Sequence, residues 1–370
     1  YKRQRLGERL RTDDEQTGDR IGRGGRGVGR LTRILFLALG ITVAVSIVSI
    51  LYIRHYLESP LPVARSETFT IPAGRGTSAV ARDLERAGLL SRPQLFALYA
   101  RYRGLASDIK AGEYLIEAGQ TPAGLLAQFV EGRVVLHSLT LVEGWTFRQA
   151  LDAIQSHEAV DVVLDSDDES GIARLTGLPV ESPEGWLLPE TYHFPRGSTD
   201  IELVNLAASA MRDSLAEAWN SREDGLPLKD SYEALILASI VEKETGIASE
   251  RARIAGVFVR RLRKGMRLQT DPTVIYGLGA DYTGNLRRTD LERDTPYNTY
   301  TRHGLPPTPI ALPGKGALLA VAHPTDEDTL YFVATGEGDG THYFSRTLEE
   351  HNQAVGRYLA RLRESRGKAK

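Results

Sequence analysis

The longest uninterrupted apolar run lies close to the start of the chain. Residues 34–53 read ILFLALGITVAVSIVSILYI, without a charge, between Arg33 and Arg54. About twenty apolar residues in a helix cross the hydrocarbon core of a bilayer, so a single transmembrane helix is expected here. The run is longer than the apolar region of a signal peptide and ends in Tyr-Ile-Arg-His-Tyr, not in a small-residue cleavage site. An uncleaved anchor is therefore expected. Basic residues from Lys2 to Arg33 precede it. They predict a cytoplasmic N-terminus, with everything after Tyr56 outside the membrane. Residues 1–33 are rich in Gly and Arg and lack apolar periodicity, which predicts a disordered tail. Residues 54–65, with Pro60 and Pro62, read as a linker.

A short pattern then occurs three times. Phe69-Thr70-Ile71-Pro72-Ala73-Gly74 precedes a helical run from Thr77 to Ala87. Tyr114 to Gly119 precedes Thr121 to Val130, and Leu139 to Gly144 precedes Thr146 to Ile154. Each copy predicts a strand, a glycine turn and a helix. Thr121-Pro122 sets a capping hydroxyl before a proline at the first helical position. Thr146 and Gln149 have the spacing of a capping box. Val80, Ala81, Leu84 and Ala87 repeat at helical period up to Gly88. Residues 66–133 are read as a small module and 134–365 as the main domain.

From Glu184 the texture changes to EGWLLPETYHFPRG. Periodicity then predicts helices over 200–219, 232–244 and 249–264, a loop-rich region to Pro313, and a helix over 315–322. Strands are predicted over 331–335 and 342–345 around a Gly-rich turn. Thr347 and Glu350 open a last helix with capping-box spacing, and the basic C-terminal tail is expected to fray. The fold class is α+β with one N-terminal transmembrane helix.

Composition removes several chemistries. The chain of 370 residues has no cysteine, so disulfides, thiolate nucleophiles and cysteine-based metal sites are excluded. A formal net charge of −2 gives no reason to expect nucleic acid as a partner. The eight histidines are scattered without ligand spacing, so neither a metal nor another cofactor is expected. Gly336 to Gly340 reads as a hairpin turn, since no helix follows it directly.

The stretch SYEALILASIVEKETG, Ser231 to Gly246, is the one with chemical interest. From Ala234 to Val241 only Ser239 is polar, and a helix apolar on all sides is buried on all sides. Leu235, Ala238, Ser239 and Glu242 form one stripe, so Glu242 projects from the last turn of a buried helix. Desolvation and the negative end of the helix dipole both favour its protonated form. A carboxyl that keeps its proton near neutral pH is what glycosidic cleavage requires. The other reading is a solvated helix end. Glu244, two positions on, faces elsewhere. Further along, Met266 to Gly277 reads MRLQTDPTVIYG, with Asp271 as helix cap and Pro272 first in the helix, followed by DTPYNTY and GLPPTP. Aromatic, proline-rich and amide-bearing loops of this kind suit a sugar cleft.

ASIVEKETG, MRLQTDPTVIYG, PYNTY, GLPPTPI and AHP, in this order, with EGWLLPETY upstream, give the chain its resemblance. Over residues 34 to about 360 it resembles the YceG-like family of membrane-anchored endolytic murein transglycosylases. Residues 66–133 also resemble a LysM-type glycan-binding subdomain of strand-helix-helix-strand form, a plain spacer being the other reading. The resemblance implies cleavage of the β-1,4 bond between N-acetylmuramic acid and N-acetylglucosamine in nascent peptidoglycan. The product is a 1,6-anhydro-muramyl end, and strand growth stops. It further implies residence in the bacterial inner membrane, with the catalytic domain periplasmic and with peptidoglycan synthases and division proteins as neighbours. The family's catalytic glutamate lies in IVEKET and is mapped to Glu242. Gln269, Asp271, Tyr297 and Asn298 are expected to hold the sugar. Leu187-Leu188 stands where larger aromatics are frequent, which leaves the shape of the nearby wall open. A lysozyme-type hydrolase and a non-catalytic glycan-binding anchor are the competing readings.

Overall fold

A computed structural model describes residues 25–179 and 182–368. The chain divides into two compact units, up to Arg133 and from Val134.

The first unit opens with helix α1, Gly25–Glu58. An 18-residue window within its segment Thr32–Glu58 has a mean hydropathy of 2.8 and is uncovered by the rest of the protein, and the segment is long and apolar enough to cross a membrane. The helix is longer than expected at both ends. Residues 1–24 of the expected disordered tail lie outside the described residues, and residues 25–33 are helical. Extending a nucleated helix adds one hydrogen bond per residue fixed, so the apolar run carries its flanks with it. The expected linker is also corrected. Residues 54–58 complete the helix, and Tyr56, Leu61 and Val63 are buried. Tyr56 donates its hydroxyl proton to Ser91 O at 2.7 Å, and Leu61 N donates to Gln120 O at 2.7 Å.

Strand β1 (Glu67–Ile71), helices α2 (Thr77–Arg86) and α3 (Pro93–Tyr102), strand β2 (Gly112–Ile116) and helix α4 (Pro122–Glu131) follow. β1 and β2 pair antiparallel, Phe69 opposite Tyr114. Thr121 caps α4 by accepting from Gly124 N at 3.1 Å. Val80, Leu84, Phe96, Leu125 and Phe129 fill the core, where the Phe129 ring meets Tyr114 edge-on at 4.7 Å.

The second unit contains β3 (Leu136–Thr140), α5 (Phe147–Gln155), β4 (Val160–Asp161), α6 (Glu169–Thr176), β5 (Thr191–Pro195), β6 (Ser198–Thr199) and α7 (Asp200–Asn220). These lead to α8 (Ser231–Glu244), α9 (Ala248–Arg263), α10 (Asp271–Leu278), α11 (Arg288–Glu292), α12 (Lys315–Ala322), β7 (Tyr331–Ala334), β8 (His342–Ser345) and α13 (Leu348–Lys368). Among the described residues the strands form only two-stranded sheets: β3 with β5 and β7 with β8 antiparallel, β4 with β6 parallel. The third strand-turn-helix copy therefore pairs with a strand far along the chain. The capping boxes at Thr146 and Thr199 are formed. The C-terminal tail, expected to fray, stays helical to Lys368.

α8 lies in the larger core of this unit. Leu235, Leu237, Ala238, Ile240 and Val241 are inaccessible to solvent, and residues of α7, α9 and α12 share their cluster. Leu187 and Leu188 are buried as well, each in one of the two clusters, so that pair belongs to the core and not to an open wall. Leu237→Ala should cost roughly 2–5 kcal/mol, since collapse around a central helix is hindered on every side. Chemical denaturation should show a lowered midpoint at unchanged slope; an unchanged midpoint would contradict this placement of α8.

Candidate active site

The site begins with the way α8 ends. Asp230 caps its start by accepting from Glu233 N at 2.9 Å, and Thr245, in an extended conformation, stops it. Successive helical residues point about 100° apart. The three ionisable residues of the last turn therefore leave the core in three directions.

Glu242 turns inward. Its side chain is 4% exposed and pairs with Arg251 Nη2 at 3.2 Å, while its other oxygen accepts from Gly314 N at 3.0 Å, just before α12. Arg251 also reaches Glu143 at 3.0 Å. Burial pushes the Glu242 carboxyl upward; the Gly314 amide and Arg251 pull it down, and Glu143 pushes it up again. One ion pair and one backbone bond thus tie α8, α9 and the start of α12 together.

Lys243 donates to Gly144 O at 3.0 Å and lines a cavity of about 940 Å³.

Glu244 reaches the loop before α10. Thr270 Oγ1 donates to its carboxylate. Burial lifts Glu244 to about 7, against the pull of Thr270 and Arg261, and the neighbouring Asp271 adds to the rise. Thr270 is itself fixed: its N–H donates to Thr299 Oγ1 at 3.1 Å, and Thr273 Oγ1 donates to its carbonyl at 2.8 Å. This cluster takes in residues that the sequence singled out. Gln269 is exposed, held at φ 53°, and its N–H donates to Thr299 O at 3.2 Å. Asp271 is exposed and accepts from the Tyr300 hydroxyl at 2.6 Å. It is the first residue of α10, with Thr270 in the cap position, so the expected cap is displaced by one residue.

The remaining two residues fall differently. Tyr297 lines the cavity, exchanges a hydrogen bond with Thr308 Oγ1 at 2.8 Å and meets the Tyr276 ring at 5.0 Å. Gly277 makes this approach possible, because a Cβ there would stand 3.0 Å from Tyr297 Cβ. Asn298 is completely buried. Its amide donates to the carbonyls of Asp290, Leu291 and Arg293, and its oxygen accepts from Tyr300 N at 2.9 Å. It closes its own loop and offers no free face to a sugar, which corrects the expectation of a direct contact.

One carboxyl was passed over in the sequence. Glu184, the first residue of EGWLLPETY, lines the cavity yet is only 5% exposed. One oxygen accepts from Phe147 N at 2.8 Å and Gly185 N at 3.2 Å; the other accepts from the Tyr276 hydroxyl at 3.2 Å. Burial raises it to about 7, against the pull of those three donors and of Lys243. Gly185, at φ 81°, carries no Cβ and so admits Pro309, which would otherwise lie 2.6 Å away. The available signals were its place at the head of the EGWLLPETY motif and the glycine beside it.

The profile of the YceG-like family matches residues 69–357, and the chain belongs to that family. It is 32% identical over 335 residues to the endolytic murein transglycosylase of Bacillus subtilis, covering 85% of this chain and 91% of that one. It is 29% identical to the endolytic murein transglycosylase of Streptococcus pneumoniae strain D39, of whose length the match spans 61%. A crystal structure of a YceG-like protein from Listeria monocytogenes is 32% identical, with a TM-score of 0.48 over 78% of this chain and 99% of that one.

The Glu184 shift has a consequence for stability. Its carboxyl sits at about 7 in the folded protein against an ordinary value of 4.5. Folding therefore binds a proton across that interval, and stability must fall as pH rises from 4.5 towards 7, then level off. The loss assignable to Glu184 is about 3 kcal/mol. Glu244 acts in the same direction. Urea unfolding at pH 5 and pH 8 should show a smaller difference for Glu184→Gln than for the parent; equal differences would count against a desolvated Glu184.

Proposed function

We propose that this chain is an endolytic murein transglycosylase. It cuts the β-1,4 bond between N-acetylmuramic acid and N-acetylglucosamine and leaves 1,6-anhydro-muramyl ends. Family membership and the names of the relatives from Bacillus and Streptococcus support this activity. The bond and the form of the product follow from the family resemblance, and one carboxyl is enough for them. It protonates the leaving oxygen and then takes the proton of the muramyl C6 hydroxyl as that oxygen closes on C1. The nucleophile belongs to the substrate, so no second carboxylate at fixed spacing is needed to activate water.

The proton carrier is Glu244 in this reading, in place of Glu242. The observation that carries the choice is the contrast in partners. Glu242 faces a guanidinium and a backbone amide that hold it in place. Glu244, raised to about 7, faces a hydroxyl beside the exposed Gln269 and Asp271. A general acid works best with a pKa near the operating pH. Gln269, Asp271 and Tyr297 hold the sugar, and Asn298 shapes the loop that presents Tyr297.

Helix α1 anchors the enzyme in the plasma membrane with its N-terminus cytoplasmic, a topology supported by the basic residues before it and the apolar window within it. Residues 66–133 serve as a LysM-like glycan-binding module, supported by the strand-helix-helix-strand order of β1, α2, α3 and β2. Anchored there, the enzyme ends nascent strands beside peptidoglycan synthases and division proteins.

Glu244→Gln should lower cleavage of purified glycan strands by about 10²–10⁴-fold without a fall in thermal midpoint. Glu242→Gln should keep the activity at permissive temperature but lose about 3 kcal/mol of stability, because Arg251 is left poorly paired. The reverse pattern would return the role to Glu242. Mass spectrometry of the products should find anhydro ends; reducing ends, heavier by one water, would make the enzyme a hydrolase.

A further inference from the structure

The first unit carries a basic cleft that the cleavage scheme does not use. Residues 75–103 hold six arginines against two carboxylates, Asp83 and Glu85. Asp83 is already taken by Arg75 at 2.9 Å and by Arg86. Arg82 of α2 and Arg101 of α3, both exposed, line a cleft of about 390 Å³ between the two helices. Among the described residues neither forms a salt bridge, and Arg101 donates to Ser78 Oγ at 3.3 Å. The floor of the cleft is apolar. Pro93 and Ala97 are buried, and Leu98 is 55% exposed. Tyr102, one turn beyond Leu98 on the same stripe of α3, is 85% exposed.

This cleft opens beside the apolar helix. Arg92, at φ 57°, sets its guanidinium 4.9 Å above the Tyr52 ring, and the Tyr56 hydroxyl donates to Ser91 O at 2.7 Å. Tyr52 is the last residue but one of the apolar run 34–53. Arg92 therefore lies at the depth where that run ends, and α3 starts at the next residue, Pro93. Whichever way α3 points, Arg101 is no more than about 12 Å along its axis from Pro93. A headgroup layer is about 5–8 Å deep, and at physiological salt a fixed charge is felt for about 8 Å beyond it.

We propose that the α2–α3 face is a docking surface for anionic lipid, with Arg82, Arg92 and Arg101 facing lipid phosphates and with Leu98 and Tyr102 among the headgroups. The proposal rests on the reading of α1 as a membrane anchor and does not depend on which glutamate carries the proton. Guanidinium forks match phosphate oxygens. Tyrosine, leucine and arginine side by side are the composition of a membrane interface. An uncharged sugar chain would leave the guanidiniums of the cleft without a counter-charge.

The test uses the full chain in vesicles. The chain has no cysteine, so Leu98→Cys gives a single site for a fluorophore. The quencher is a nitroxide on the headgroup of a phosphatidylcholine, kept at a fixed fraction of the lipid. Quenching should be strong, because position 98 lies among the headgroups. Exchanging part of the plain phosphatidylcholine for phosphatidylglycerol should relieve it by displacing the quencher lipid. The relative affinity for the anionic lipid should be about ten-fold, a little more than one basic side chain contributes. Adding Arg82→Gln and Arg101→Gln should bring that ratio close to one with an unchanged thermal melt. A fluorophore untouched by the headgroup quencher would overturn the placement of the face. Equal competition by the two lipids would overturn the recognition of charge. Relief by soluble glycan strands and not by phosphatidylglycerol would assign the cleft to the polysaccharide and overturn the proposal. A chain that fails to float with the vesicles would sink the anchor reading itself, and the docking surface with it.

Discussion

A helix with no polar face must be surrounded, and its last turn is then held as firmly as the core around it. That constraint governs the second unit. α8 is enclosed by α7, α9 and α12, so the directions of Glu242, Lys243 and Glu244 are set by packing and not by the residues themselves. The burial that fixes these carboxyls also raises their affinity for protons. Geometry and acidity have one origin here, the exclusion of water from one end of an apolar rod.

Two carboxyls two positions apart thereby meet different partners. Opposite a guanidinium and a backbone amide, Glu242 binds three helices into a frame. Opposite a threonine hydroxyl, Glu244 meets the loop that opens α10. The loops complete the frame through backbone accounting: Asn298 satisfies three carbonyls of its turn, and Arg261 donates to Leu268 O at 2.7 Å and to Leu330 O at 2.7 Å. Exposed polar residues such as Gln269 and Asp271 can be presented rigidly because their buried neighbours already have partners.

Much of the fold was legible in the chain. The helices with regular apolar spacing lie where periodicity puts them, and the capping boxes at Thr146 and Thr347 form as their spacing requires. Short elements were less legible. α6 and α11 are only a few turns at most, and β4 and β6 pair over two residues each, too little for a repeat to register. The candidate site was half legible. Spacing along α8 finds a buried carboxyl at position 242, but it carries no information about Arg251 or Gly314, which arrive from other elements. Asn298 reads as a sugar ligand by its chemistry and proves to be a loop clamp, because no pattern in sequence reveals what a turn does with its own carbonyls. Glu184 was hidden for the same reason: its partners are two backbone amides and a tyrosine nearly a hundred positions away.

The docked segment after α1 has a mechanical consequence. Tyr56 on Ser91, Leu61 on Gln120 and the Arg92 guanidinium 4.9 Å above the Tyr52 ring leave no slack between the apolar helix and the module that follows it. The two should rotate as one lever. With α1 embedded in a bilayer as proposed, the change of tilt that follows when the bilayer thins or thickens would re-aim the whole module against the lipid headgroups instead of being lost in a flexible tether.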